Sequence, residues 1–102
     1  MPTPYDGAIR LERRRLDEVG LAVRTGEEQL DAISSALGEI DSQLRQEFAA
    51  AALDGWFSCH AFASRLHTVR ERHRQNYRVL RGTIDRLRDE MTGICGRVQG
   101  ME

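Results

Sequence analysis

The sequence predicts an all-α fold: an antiparallel two-helix hairpin, coiled-coil-like, that pairs with a second hairpin into a four-helix bundle dimer. Three observations lead there. A row of apolar residues recurs every seven positions from Ile9, through Leu16, Val23, Leu30, Leu37 and Leu44 to Ala51. A second row advances by threes and fours through Phe62, Leu66, Val69, His73, Tyr77, Leu80, Ile84, Leu87, Met91, Ile94, Val98 and Met101. Both are helical periods sustained far beyond chance. Between the rows stands Asp54-Gly55, the strongest turn dipeptide in the chain.

In chain order, residues 1–6 form a tail, with Pro2 and Pro4 holding the backbone extended. The first helix is expected over 7–51. Three residues past each member of its main row lies a weaker row: Val19, Ile33 and Ile40 fit it, while Glu12, Gly26 and Glu47 do not. Ala22, Ala32, Ala36 and Gly38 are small neighbours that permit close helix approach. The turn is expected over 52–58, with Ser58 capping the second helix, which runs over 59–98. Two successive four-residue steps, Val69 to His73 to Tyr77, read as a stutter in the heptads, placed between His73 and Tyr77. Glycines inside both spans each cost about 1 kcal/mol relative to alanine, so tertiary packing has to hold these helices. The short connection makes the helices antiparallel neighbours within one domain, 7–102.

With 102 residues the chain is one small domain. A lone hairpin buries one stripe per helix, and a core this small is usually completed by a partner. Leu11, Leu21, Phe57 and Val79 fall off the narrow seam and widen the apolar surface. The expected interface residues are Leu16, Val23, Leu30, Ile33, Leu37, Ile40 and Leu44 on the first helix. On the second they are Phe62, Leu66, Val69, Tyr77, Leu80, Ile84, Leu87, Met91 and Ile94. The expected partner is a second copy or a related helical hairpin.

Charge separates the function classes. All fifteen basic residues are arginine, against sixteen acids. Residues 1–53 hold six Arg and ten Asp/Glu; residues 54–102 hold nine Arg and six Asp/Glu. The basic stretch RERHRQNYRVLR, residues 70–81, suggests a polyanion site. On a helix, however, its arginines wrap the surface instead of converging on one face, which backbone binding of nucleic acid requires. In an antiparallel hairpin position i faces roughly 110 − i, which sets Arg81 near Glu27–Asp31 and Arg70 near Glu39–Asp41. Charge matching inside the hairpin or dimer is therefore expected, and no nucleic acid.

No metal or other cofactor is expected. His60 and His67 are seven residues apart, about 10 Å along a helix, too far to share one ion. His73 occupies a core step, as a part-exposed histidine at the stutter or as a pH-sensitive interface position. Cys59 and Cys95, 36 residues apart on one helix, would be separated by roughly 54 Å and cannot bridge. They read as free, structurally inert cysteines, since a buried Cys usually acts as a small hydrophobe. No catalytic constellation or phosphate loop occurs, and a two-helix hairpin is expected to offer no concave pocket, so a non-enzyme is expected. No apolar run approaches 18 residues, which excludes a membrane-spanning helix, and MPTPYDGAIR has no Sec-type signal pattern.

The turn holds Gly55, Trp56, Phe57 and Ser58, with two aromatics where a polar loop is usual. They cap the end of the bundle or present a contact for a partner. Two helices, a mid-chain turn with Trp56 and this length resemble the WXG family of small type VII secretion proteins, the early-secreted-antigen type. That family is a helical hairpin with W-x-G in the turn and a Y-x-x-x-D/E signal after the second helix. Here Ser58 stands in place of the motif's glycine, and Val98 in place of the tyrosine, with Glu102 as the acid. The segment AFASRLHTVRERH also looks like the start of the second helix in actinobacterial members, and an all-arginine chain suits their GC-rich genomes. The resemblance implies a homo- or heterodimer, cytoplasmic before Sec-independent export. Its implied partners are a secretion ATPase or a larger effector, and its implied signal residues are Val98 and Glu102.

A second resemblance is to flagellar and type III export stalk proteins, antiparallel coiled-coil hairpins rich in Arg and Glu, whose style IRLERRRLDE matches. A generic intracellular coiled-coil adaptor is the third alternative.

Overall fold

The computed structural model describes residues 4–54 and 56–102, with side chains over 4–52 and 60–102. Two helices account for the described chain: α1, Asp6–Asp54, of 49 residues, and α2, Trp56–Met101, of 46 residues. They form the antiparallel helical hairpin that the heptads predict. Both helices are longer than the expected 7–51 and 59–98. Ala51 and Ala52, strong helix formers, lead into a last turn that reaches Asp54. Residues 56–58 are already helical, so Ser58 lies inside α2 and does not cap it. Gly55, the remaining residue of the expected turn, lies outside the described residues.

At its start α1 has the first-turn acid Asp6, which complements the helix dipole. The amide of Ile9 donates to the Tyr5 carbonyl at 2.8 Å. At the same end of the hairpin the Glu102 amide donates to the Val98 carbonyl at 3.1 Å.

The hairpin divides into two compact units, Met1–Glu28 with Leu80–Glu102, and Gln29–Val79. The first contains the tightest packing. Val19, Ile84 and Ile94 are at most 2% exposed, and Val23 is buried beside them. Gly26 is buried too, and a Cβ built on it would stand 2.8 Å from Ile84 Cγ1. The missing side chain is therefore the hole into which the Ile84 knob fits. The second unit buries Leu30, Ile40, Leu44 and Ala51, each 7–9% exposed.

The burial pattern corrects the heptad reading. On α1 the seam runs Ile9, Glu12, Leu16, Val19, Val23, Gly26, Leu30, Ile33, Leu37, Ile40, Leu44, Glu47, Ala51, and every member is buried or half-buried. The misfits Glu12, Gly26 and Glu47 thus belong to the row. On α2 the seam passes through Arg70 and not through Val69: the valine is 38% exposed, the Arg70 side chain only 21%. With Arg70 in place, Ala63, Leu66, Arg70, His73, Tyr77 and Leu80 continue in unbroken threes and fours. The stutter disappears; it arose from choosing Val69 because it is apolar. Asp41 explains the arginine, because its carboxylate faces that seam step across the unit.

Candidate functional site

Cross-helix ion pairs set the register. In the first unit Arg97 Nε donates to Glu12 at 2.9 Å, Arg15 Nε to Glu90 at 2.8 Å, and Arg13 Nη2 to Glu102 at 2.6 Å. Arg88 also pairs with Glu27. Facing residue numbers in these pairs add to 105–115. The hydrogen bond and charge of Arg97 hold the Glu12 carboxyl below its ordinary pKa, against a smaller opposing effect of desolvation. Bonds to Glu12 and Glu90 raise Arg97 and Arg15, respectively. Exposed pairs of this kind contribute little stability each, but a shifted register would break all four.

The expected neighbours of the basic stretch are half right. Arg70 reaches Asp41, as the antiparallel register requires. Arg81 does not reach Glu27–Asp31. It lies 3.6 Å from Asp85, one turn along its own helix, while Arg88 holds Glu27. A partner four residues away needs no reach across the seam. Arg74 similarly bonds Glu71 at 2.9 Å.

Arg70 is the most unusual side chain of the second unit. Its Nη1 donates to Asp41 Oδ1 at 3.3 Å, a long contact, and Nη2 lies 2.7 Å from His67 Nδ1. Its Nε is buried with no hydrogen-bond partner. Arginine only donates, so His67 Nδ1 is the acceptor in this contact. Beside this cluster lies a groove of about 520 Å³. Leu44, Phe48 and Ala63 supply its apolar surface; His60, Ser64, His67, Thr68 and Arg70 supply the polar part. Phe48 is 52% exposed there. The sequence reading set Arg70 near Asp41 but not on the seam, and it overlooked Phe48. The signal for Arg70 was its place three residues before His73 and opposite Asp41. Nothing in the periodicity singles out Phe48.

The remaining expected residues fall as follows. Leu16, Leu87 and Met91 are half-buried on the seam of the first unit with Val23, Ile84 and Ile94, and Leu80 is half-buried there too. Ile33, Leu37, Phe62, Leu66 and Tyr77 are half-buried in the second unit with Leu30, Ile40 and Leu44. Trp56, Phe57 and Ser58 are described only as helical backbone. Val98 is half-buried, and Glu102 accepts the bond from Arg13. Cys95 is a free thiol, as expected, and it is exposed, while the Cys59 side chain lies outside the described residues. Its position on α2 one residue past buried Ile94 turns Cys95 away from the seam.

His73 is half-buried on the seam, while His60 and His67 are exposed. Among the described residues no group of three or more His, Cys, Asp or Glu could hold a metal ion, and no helix is long and apolar enough to cross a membrane. Compared with protein-family models, curated proteins and solved structures, the chain finds no match.

Proposed function

We propose that this chain is a non-enzymatic protein–protein interaction module that works as a pair of helical hairpins in type VII secretion, as an export substrate or as the partner of one. The observation that carries the pairing is uncovered apolar surface. Most seam side chains remain half-exposed, and Leu11, Leu21 and Val79 are each at least 60% exposed. The chain exposes 7721 Å², about a third more than the roughly 5,800 Å² expected of a compact monomer of its mass. A standard interface covers about 800 Å² per partner, so a second hairpin would cover a little under half of this excess of roughly 1,900 Å². The secretion role rests on the resemblance in architecture and on Trp56 at the joint between the helices.

Sedimentation equilibrium tests the pairing: the expected mass is twice that of the chain, and a stable folded monomer at micromolar concentration overturns it. Export is tested by following a tagged full-length chain into the medium with and without the type VII membrane ATPase of its host. Export lost with the ATPase supports substrate status. If the chain stays inside, pull-down of an exported hairpin identifies it as the partner. The stalk reading is favoured by the cross-helix Arg–Glu pairs, and co-purification with flagellar export components would select it.

A further inference from the structure

We propose that the paired hairpin is a second copy of this chain, packed on the face of the second unit opposite the groove, with Glu39 of each copy against Arg72 of the other. The assignment rests on the pairing of hairpins proposed above.

The two broad faces of the second unit differ. The groove face takes Phe48 from α1 and His60 and His67 from α2. Each residue advances about 100° around a helix, which puts Ala32, Ala36 and Glu39 of α1 on the other flank of the seam. Arg65, Val69, Arg72 and Val79 of α2 share that flank, and both valines are exposed. Among the described residues neither Glu39 nor Arg72 has a hydrogen bond or an ion pair, although Arg70, Arg74 and Arg81 each meet an acid. Asp41 meets Arg70 across the seam. Counting outward from that pair along antiparallel helices sets Glu39 level with Arg72 and Ala32 level with Val79. A two-fold axis parallel to the helices lays α1 of one copy on α2 of the other at the same level. Glu39 then meets Arg72 twice, once in each direction, and the small Ala32 leaves room for Val79, also twice. An isologous contact requires this reciprocity, and one face of one chain supplies it. The charges fix the axis as well. A two-fold axis across the helices would lay α1 on α1 and α2 on α2. In this unit that flank of α2 has Arg65 and Arg72 and no described acid, and that flank of α1 has Glu39 and no described base, so like charges would meet.

Charge reversals in the full-length chain, followed by sedimentation equilibrium at low salt, test the assignment. Glu39→Arg and Arg72→Glu each set like charges together twice, and each should weaken the dimer by about tenfold or more. The double variant Glu39→Arg/Arg72→Glu brings opposite charges back together and should dimerise as wild type does. Both positions are exposed, so all three variants should keep wild-type helicity by circular dichroism. A wild-type chain that sediments as a monomer overturns the pairing itself and this assignment with it. A wild-type dimer that neither single variant weakens overturns the assignment and leaves the pairing standing. So do weakened single variants whose defect the double variant fails to repair, since two-fold contact of Glu39 with Arg72 demands the rescue.

Discussion

The two units of the hairpin share one heptad plan and differ in how they complete it. In the first, three residues are at most 2% exposed, and four cross-helix ion pairs flank them. In the second, no described residue is buried that deeply, one cross-helix ion pair is described, and an aromatic ring lies half exposed beside a groove. The contrast runs against the sequence's most conspicuous feature. The arginine-dense stretch begins in the second unit, but most of the cross-helix pairing lies in the first. Density of charge is not pairing across the seam: Arg74 and Arg81 meet acids three and four residues away on their own helix. The first unit is thus the more deeply buried and the more heavily cross-paired of the two.

The largest expected effect comes from deleting packing in the first unit. Ile84→Ala should cost about 2–5 kcal/mol, as buried isoleucine truncations do, measured by urea unfolding followed by circular dichroism. Ile40→Ala in the second unit should fall at the low end of that range. If Ile40 proves the costlier position, the contrast between the units fails.

A glycine pair comes next. Gly26→Ala would bring a Cβ within 2.8 Å of Ile84 Cγ1, and overpacking costs about 1–3 kcal/mol against a gain of about 1 in helix propensity. Net loss is expected. Gly38→Ala meets nothing within 4 Å and should raise stability by about 0.5–1 kcal/mol. Equal signs for the two would show that Gly26 is not the hole for Ile84.

Arg70→Leu should leave stability unchanged or raise it by up to about 1 kcal/mol, since an apolar residue extends the row and removes a half-satisfied guanidinium. Asp41 is 48% exposed and stays hydrated without its partner. A marked loss of thermal stability would show that the Arg70–Asp41 pair holds the second unit together.

The smallest effect concerns pH. Arg97 depresses the folded-state pKa of Glu12, so this pair's contribution is present above the unfolded carboxyl pKa and fades as pH falls through the folded one. Glu12→Gln should flatten the acid side of the stability profile slightly, and 1 M salt should shrink the same difference in wild type. An unchanged acid limb in the variant would remove Glu12 from the pH response.

Most of the fold was legible in the sequence because a heptad is a local pattern. Leu30, Ile40 and Ile84 announce their burial by spacing alone. Glu12, Gly26 and Arg70 do not, because their residue types contradict it. Spacing would have found them had it been weighed above apolarity. The choice of Val69 shows the cost of the opposite weighting, since it introduced a stutter that the burial pattern lacks. The groove was not legible at all. It brings Leu44 and Phe48 together with His60 and His67 from the other helix, and no one-dimensional pattern records that meeting.

By itself the sequence determined that the chain makes two long helices, which residues form their apolar rows, and that the helices run antiparallel. These follow from a 3.6-residue period and a short connection. Only the tertiary structure decided which flanking charges meet across the seam, that a missing side chain at Gly26 receives Ile84, and that Arg70 keeps a buried nitrogen without a partner. Those outcomes depend on distances of a few ångströms between residues far apart in the chain, where steric fit and the reach of a guanidinium, not periodicity, decide the result.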